Sequence, residues 1–189
     1  MDFKNIFLKT LFLSLLFTSN SLSAQDQPKF NKQEIGLQLV GLDNFDFDFL
    51  YKKQVKQNAY RRIGLAFASL NVHNVGDNGN GNFSVGINIG RENRKSINDK
   101  LNFVHGVSWL LNSSLNTSEN NTFSAFSTGV GYLLGVHYQL NESFYIGAEI
   151  IPSLTTSFVI NDGFDNLSFN AGFNSRSVGL SIVYKFEKT

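Results

Sequence analysis

The chain has 189 residues, with 16 basic and 15 acidic side chains, three His and no Cys. A charge this close to zero excludes the basic excess that nucleic-acid binding needs. The missing Cys excludes disulfides, thiol catalysis and a lipid-modified N-terminal Cys. Two Pro against 16 Gly suits a strand-rich chain, and the length fits one domain.

The first residues carry Lys4 and Lys9, then an apolar run over 11–17, then small and polar residues from Ser19 to Ala24. A basic start, an apolar centre and a small-residue exit form a secretory signal, too short to cross a membrane as a helix. Cleavage is expected after Ala24, with Ser23 the alternative because Leu22 is bulky. Residues 1–24 are therefore read as signal and 25–189 as one barrel domain. Without Asp2, Lys4 and Lys9 the remainder has 14 charges of each sign.

Eight segments then alternate apolar with polar or small residues, the period of a strand whose two faces meet different surroundings. The first is 34–41, with Ile35, Leu37 and Leu39 on its apolar face. The second, 44–52, sets Phe45, Phe47, Phe49 and Tyr51 against Asp46 and Asp48. The third, 61–70, opposes Ile63, Leu65 and Phe67 to Arg62, Gly64 and Ala66. The fourth, 82–90, opposes Phe83, Val85, Ile87 and Ile89 to Ser84, Gly86, Asn88 and Gly90. The fifth, 101–111, carries Val107, Trp109 and Leu111 opposite Gly106 and Ser108. The sixth, 124–140, carries Val130, Tyr132, Val136 and Tyr138 opposite Gly129, Gly131, Gly135 and His137. The seventh, 144–154, carries Phe144, Ile146 and Ile150 opposite Gly147 and Glu149. The eighth, 177–186, carries Val178, Leu180, Ile182, Tyr184 and Phe186 opposite Gly179, Ser181 and Lys185.

Between them, 53–58, 91–100 and 141–143 are charged or tight. The stretches 71–81, 112–123 and 161–174 are rich in Asn, Gly and Ser and read as loops. Gly129 and Gly131 lie within a strand and relieve crowding there.

The two faces decide the surroundings. Eight strands enclose room for only a modest filling, too little for all the Phe, Tyr, Leu, Ile and Trp side chains. Small and polar residues suit that interior, and the bulky face then meets lipid. Strands in hydrocarbon must pair in a closed barrel. The expectation is an all-β, eight-stranded antiparallel up-and-down transmembrane barrel. Aromatic belts fit it: Tyr51, Tyr138, Phe144, Tyr184 and Phe186 at one rim, Phe45, Phe83, Trp109 and Phe126 at the other.

With its signal segment, eight alternating strands and closing Val178-Gly179-Leu180-Ser181-Ile182-Val183-Tyr184-Lys185-Phe186, the chain resembles the small OmpA/OmpX-type outer-membrane barrels of Gram-negative bacteria. Glu187-Lys188-Thr189 after the closing aromatic depart from that family's terminal signal. The resemblance implies an outer-membrane location, both termini in the periplasm, loops outside the cell, and partners in membrane lipid, the assembly machinery and a surface ligand of the loops.

Glu149 is expected inside, paired in a polar network with Arg62, Lys185, His137, Asp46 and Asp48, because an unpaired carboxylate there is costly. His105 and Ser108 fall on opposite faces, so they do not assemble as base and nucleophile. His73 and Asp77 lack calcium-loop spacing, since Gly79 stands where a second ligand belongs. No catalytic residue, metal or cofactor is expected. The expected role is structural or surface interaction, with a lipid-modifying enzyme or a narrow solute channel as alternatives.

Overall fold

The computed structural model describes residues 31–40, 46–75, 78–118, 121–161, 164–173 and 175–187. The signal stretch 1–24 and Phe45 lie outside them. The described residues form β1 (Lys32–Val40), β2 (Asp46–Lys56), β3 (Ala59–Val75), β4 (Asn78–Ser96), β5 (Leu101–Ser118), β6 (Asn121–Gln139), β7 (Phe144–Ile150), β8 (Ser153–Asn161), β9 (Phe164–Gly172) and β10 (Val178–Glu187). A single 3-10 turn, Ser175–Ser177, precedes β10.

These ten segments make eight staves. Neighbours in sequence pair antiparallel from β1 to β6, and β10 pairs with both β7 and β1, which closes the ring. β7 and β8 share one register against β6, with Leu134 opposite Ile150 and Gly131 opposite Ser153, so together they are the seventh stave. The ladder is interrupted at Pro152, which has no N–H to give it. Tyr132 N–H bridges the break by donating to the Pro152 carbonyl at 2.9 Å.

β9 and β10 are the two halves of the eighth stave, and they do not match. Continued evenly, the β7–β10 register would set Ser153 opposite residue 175, yet it opposes Gly172. Three extra residues therefore leave the ladder between β9 and β10. Gly172 opens this excursion at φ 132°, a conformation that L side chains rarely adopt.

A circuit of the ladder starting on Ile146 passes Ile182, Leu37, Phe49, Leu65, Ile87, Leu111 and Thr128 and returns at Thr156. That is ten residues farther along the same stave. Such a stagger over eight staves tilts them by about 40° and leaves a lumen that side chains can fill.

At one end the staves join through tight turns. Asn98 Oδ1 accepts from the N–H of Lys100 and Leu101 at 2.9 and 2.8 Å, and Asn141 Oδ1 accepts from those of Ser143 and Phe144 at 2.9 Å each. Asn favours such self-bonded turns. At the other end the expected loops are mostly strand. β3 and β4 pair as far as Val75 opposite Asn78, β5 and β6 as far as Ser118 opposite Asn121, and β8 and β9 as far as Asn161 opposite Phe164. Asn, Ser and Thr occupy these ladders without difficulty because backbone pairing, not apolar alternation, holds a strand once it has left the hydrocarbon. Among the described residues β1 and β10 end below these hairpins, so the described wall is higher on the side of β3 to β6, β8 and β9.

Replacing Gly172 with Ala is expected to cost about 1–3 kcal/mol through backbone strain. Urea unfolding of the refolded barrel in micelles measures it, and an unchanged midpoint would show that the excursion tolerates a side chain.

Candidate functional site: the ion cluster and the chamber above it

Inward positions continue the strand period past the expected strand ends. On β2 the series Asp46, Asp48, Leu50 runs on to Lys52, and on β4 the series Gly86, Asn88, Gly90 runs on to Glu92 and Arg94. Glu34 and Gln38 enter from β1, Arg62 from β3, His137 from β6, and Tyr145 and Glu149 from β7. Lys52 and Glu92 are 0% exposed, Arg62 is 1% and Glu149 2%.

Three carboxylates and three cations interlock there. Lys52 Nζ lies 2.9 Å from Glu92 Oε2 and 3.6 Å from Glu149 Oε1. An Arg62 nitrogen sits 2.9 Å from Glu149 Oε2, and another 3.6 Å from Glu92. Arg94 clamps Glu34 at 2.6 Å and Glu92 at 2.5 Å, and stacks over the Tyr60 ring at 3.7 Å. Tyr145 donates its hydroxyl to Glu34 at 2.8 Å, Gln38 donates to Glu149 at 3.1 Å, and His137 Nε2 lies 3.2 Å from Glu149. Buried ions are tolerated only when opposite charges pair this closely.

Glu92, His137 and Glu149 bring three ligand atoms within 4.8 Å of one another, a grouping that could hold a metal. The Lys52 ammonium already occupies the cationic position between the two carboxylates. As built, the cluster is a neutral plug.

Of the residues singled out from the sequence, Glu149, Arg62 and His137 meet in this cluster. Lys185 is half-buried and makes none of its close contacts. Asp46 and Asp48 lie apart, held by Arg176 at 3.2 and 2.5 Å. Arg176 comes from the 3-10 turn and crosses to β2. Glu92 and Arg94 were missed because 91–100 reads as a charged turn; Glu34 and Lys52 stand at the ends of the expected strands 34–41 and 44–52 and were not joined to the network. Carrying the period of two four residues past Gly90 reaches Glu92 and Arg94, and the parity of 34–41 and 44–52 already sets Glu34 and Lys52 inward.

Above the plug, toward the hairpin end, lies a chamber of about 240 Å³. Asn88, Asn112, Ser127 and Thr155 line it, with Gln38 at the plug and Asp48 and Arg176 on its walls. Uncharged amides and hydroxyls dominate this upper half.

The outside is the reverse. Leu37, Leu65, Ile87, Ile182 and Val107 are between 39% and 52% exposed. Tyr138, Phe144 and Tyr184 are exposed at the turn end, where Tyr184 stacks on Phe186 at 6.1 Å and packs at a tilt against Phe144 at 5.0 Å. Tyr51, also near that end, donates to Gln33 at 3.0 Å. Phe83 and Phe126 are exposed near the hairpin end. Trp109 lies four residues below the Ser113 that faces Phe126, so it sits roughly 10 Å deeper. His105 stacks on Phe103 at 5.9 Å while Ser108 is buried, so the pair does not meet. The side chains of His73 and Asp77 lie outside the described residues. Charges within and a continuous apolar belt without can coexist only in hydrocarbon. The barrel spans a membrane, in the manner of the outer-membrane class.

No family profile and no curated protein matches the chain. Among solved structures it is similar to Ail, the attachment invasion locus protein of Yersinia pestis, at 14% identity and TM-score 0.40, over 84% of this chain and 100% of that one. It is similar to the N-terminal barrel domain of Pseudomonas aeruginosa OprF at 12% identity and TM-score 0.46, over 85% and 100%. Neisserial surface protein A matches at 13% identity and TM-score 0.42, over 83% and 94%.

Replacing Glu149 with Gln leaves an excess buried cation and is expected to cost about 3–5 kcal/mol. Adding Lys52→Met restores neutrality and should recover part of that loss in urea titrations. Planar-bilayer current should stay at baseline for both variants. Normal stability together with a raised conductance would make the cluster a gate rather than a plug.

Proposed function

We propose that this outer-membrane barrel works as a surface-interaction module, neither enzyme nor pore, with its turn end in the periplasm and its tall hairpins outside the cell. Short turns on the periplasmic side and longer outer segments are the usual arrangement. The observation that carries the reading is the height of the wall. β3, β4, β5, β6, β8 and β9 continue as one paired sheet beyond the level where β1 and β10 stop. At its end β9 is exposed on both faces from Asn166 to Ala171, with Phe169 at 72%.

A lipid-modifying enzyme would need an assembled nucleophile within reach of lipid. His105 and Ser108 are on opposite faces, and His137 is enclosed with Glu149. A channel would need a way through the lumen, which the neutral cluster fills.

Replacing 115–124 and 158–167 each by Asn-Gly joins strands that already pair at Ser114–Ala125 and Ser157–Ser168, in a turn suited to hairpins. The trimmed barrel should still show the gel shift of a folded barrel. Cells expressing it should lose the attachment to immobilised polysaccharide or matrix protein that the intact barrel confers. Equal attachment by both forms, or none by either, would sink the reading.

A further inference from the structure

The excursion between β9 and β10 has a consequence on the outer surface. Arg176, in the middle of its 3-10 turn, turns into the lumen toward Asp46 and Asp48, and Ser177 is buried, where its carbonyl accepts from Ile151 N–H at 2.7 Å. The eighth stave therefore withdraws from the outer face beside Pro152. On the seventh stave, the compact Pro152 ring is the outward group between Ile150 and Leu154. A groove of about 420 Å³ results, bounded by Val107, Val130, Tyr132, Pro152, Leu154 and Gly172.

Its depth identifies its surroundings. Each residue lifts a stave by about 2.4 Å along the barrel axis at this tilt. Val130 is eight residues above Tyr138 of the turn-end belt, hence roughly 20 Å higher, within an apolar band about 25 Å tall. Val107 and Tyr132, paired across β5 and β6, lie deeper still. The groove thus faces hydrocarbon in the leaflet nearer the hairpins, and its walls offer carbon rather than charge.

We infer that this groove seats one acyl chain of a membrane lipid. The space is on the scale of one chain and not of a whole lipid. A chain lying in this shallow groove meets its flanking side chains as well as its floor, and dispersion attraction grows with those contacts. The assignment rests on the lipid-facing orientation of the belt.

Trp109 is the single Trp of the chain and pairs with Val130 on the groove wall. Refolded full-length protein in non-quenching detergent micelles can be titrated with a lysophospholipid brominated along its chain. Trp109 emission should fall in a saturable phase that completes at stoichiometric addition, followed by a shallow decline. Val130→Phe and Leu154→Phe fill the groove from lipid-facing positions and should lose the saturable phase. Leu37→Phe, on another stave, should keep it. Quenching that only tracks the bromolipid fraction of the micelle, or a saturable phase surviving in Val130→Phe, overturns the groove assignment while leaving the belt intact. Trp109 unquenched at every bromolipid content overturns the orientation itself.

Discussion

Six charges share a lumen too narrow to hydrate them, and the rest of the molecule is arranged around their neutrality. A carboxylate or an ammonium taken from water costs several kcal/mol that only close partners offset. Glu34, Glu92 and Glu149 find those partners in Lys52, Arg62 and Arg94 because the ten-residue stagger of the staves brings β1, β2, β3, β4 and β7 to one level. The lumen is then filled largely by charged and small side chains, with only a few large apolar ones such as Leu50, Leu133 and Tyr145, and most of the bulky apolar residues are left for the outside. Leu50, Tyr145 and Val183 are the one buried apolar cluster among the described residues. Stability therefore comes from closed backbone pairing and ion matching within, with lipid solvating the belt.

Inside and outside are coupled at one place. The three-residue surplus between β9 and β10 would be a defect in a regular barrel. Here Arg176 uses it to reach Asp46 and Asp48, which would otherwise be two neighbouring carboxylates on one inward face. The same displacement thins the outer wall beside Pro152. A polar requirement of the chamber thus shapes an apolar feature of the lipid-facing surface.

Much of this was legible in the sequence. The eight alternating segments gave the staves, because a period of two survives wherever the two faces meet different solvents. The parity of Phe47, Phe49 and Tyr51 against Asp48 placed the belt outside. What escaped notice did so for physical reasons. Glu92 and Arg94 continue β4 inward but stand among Arg91, Asn93 and Lys95, so the run looks like a solvated turn; only the pairing with Lys52 and Glu34 marks it as interior. The tall hairpins escaped because 112–123 and 161–174 carry loop-like Asn, Ser and Gly, and above the membrane no apolar alternation is required of a strand. The offset between β9 and β10 is a matter of register, which no local pattern announces.

The whole arrangement requires that the apolar face meet lipid and the polar face meet the lumen. The chain has no Cys, so single Cys residues at Leu65, Ile182 and Ala66 can be spin-labelled without interference. In liposomes, labels at Leu65 and Ile182 should collide readily with oxygen and scarcely with a water-soluble nickel chelate, while Ala66, on the wall of the chamber, should favour the chelate. Chelate access at Leu65 and Ile182 equal to that at Ala66 would contradict the account.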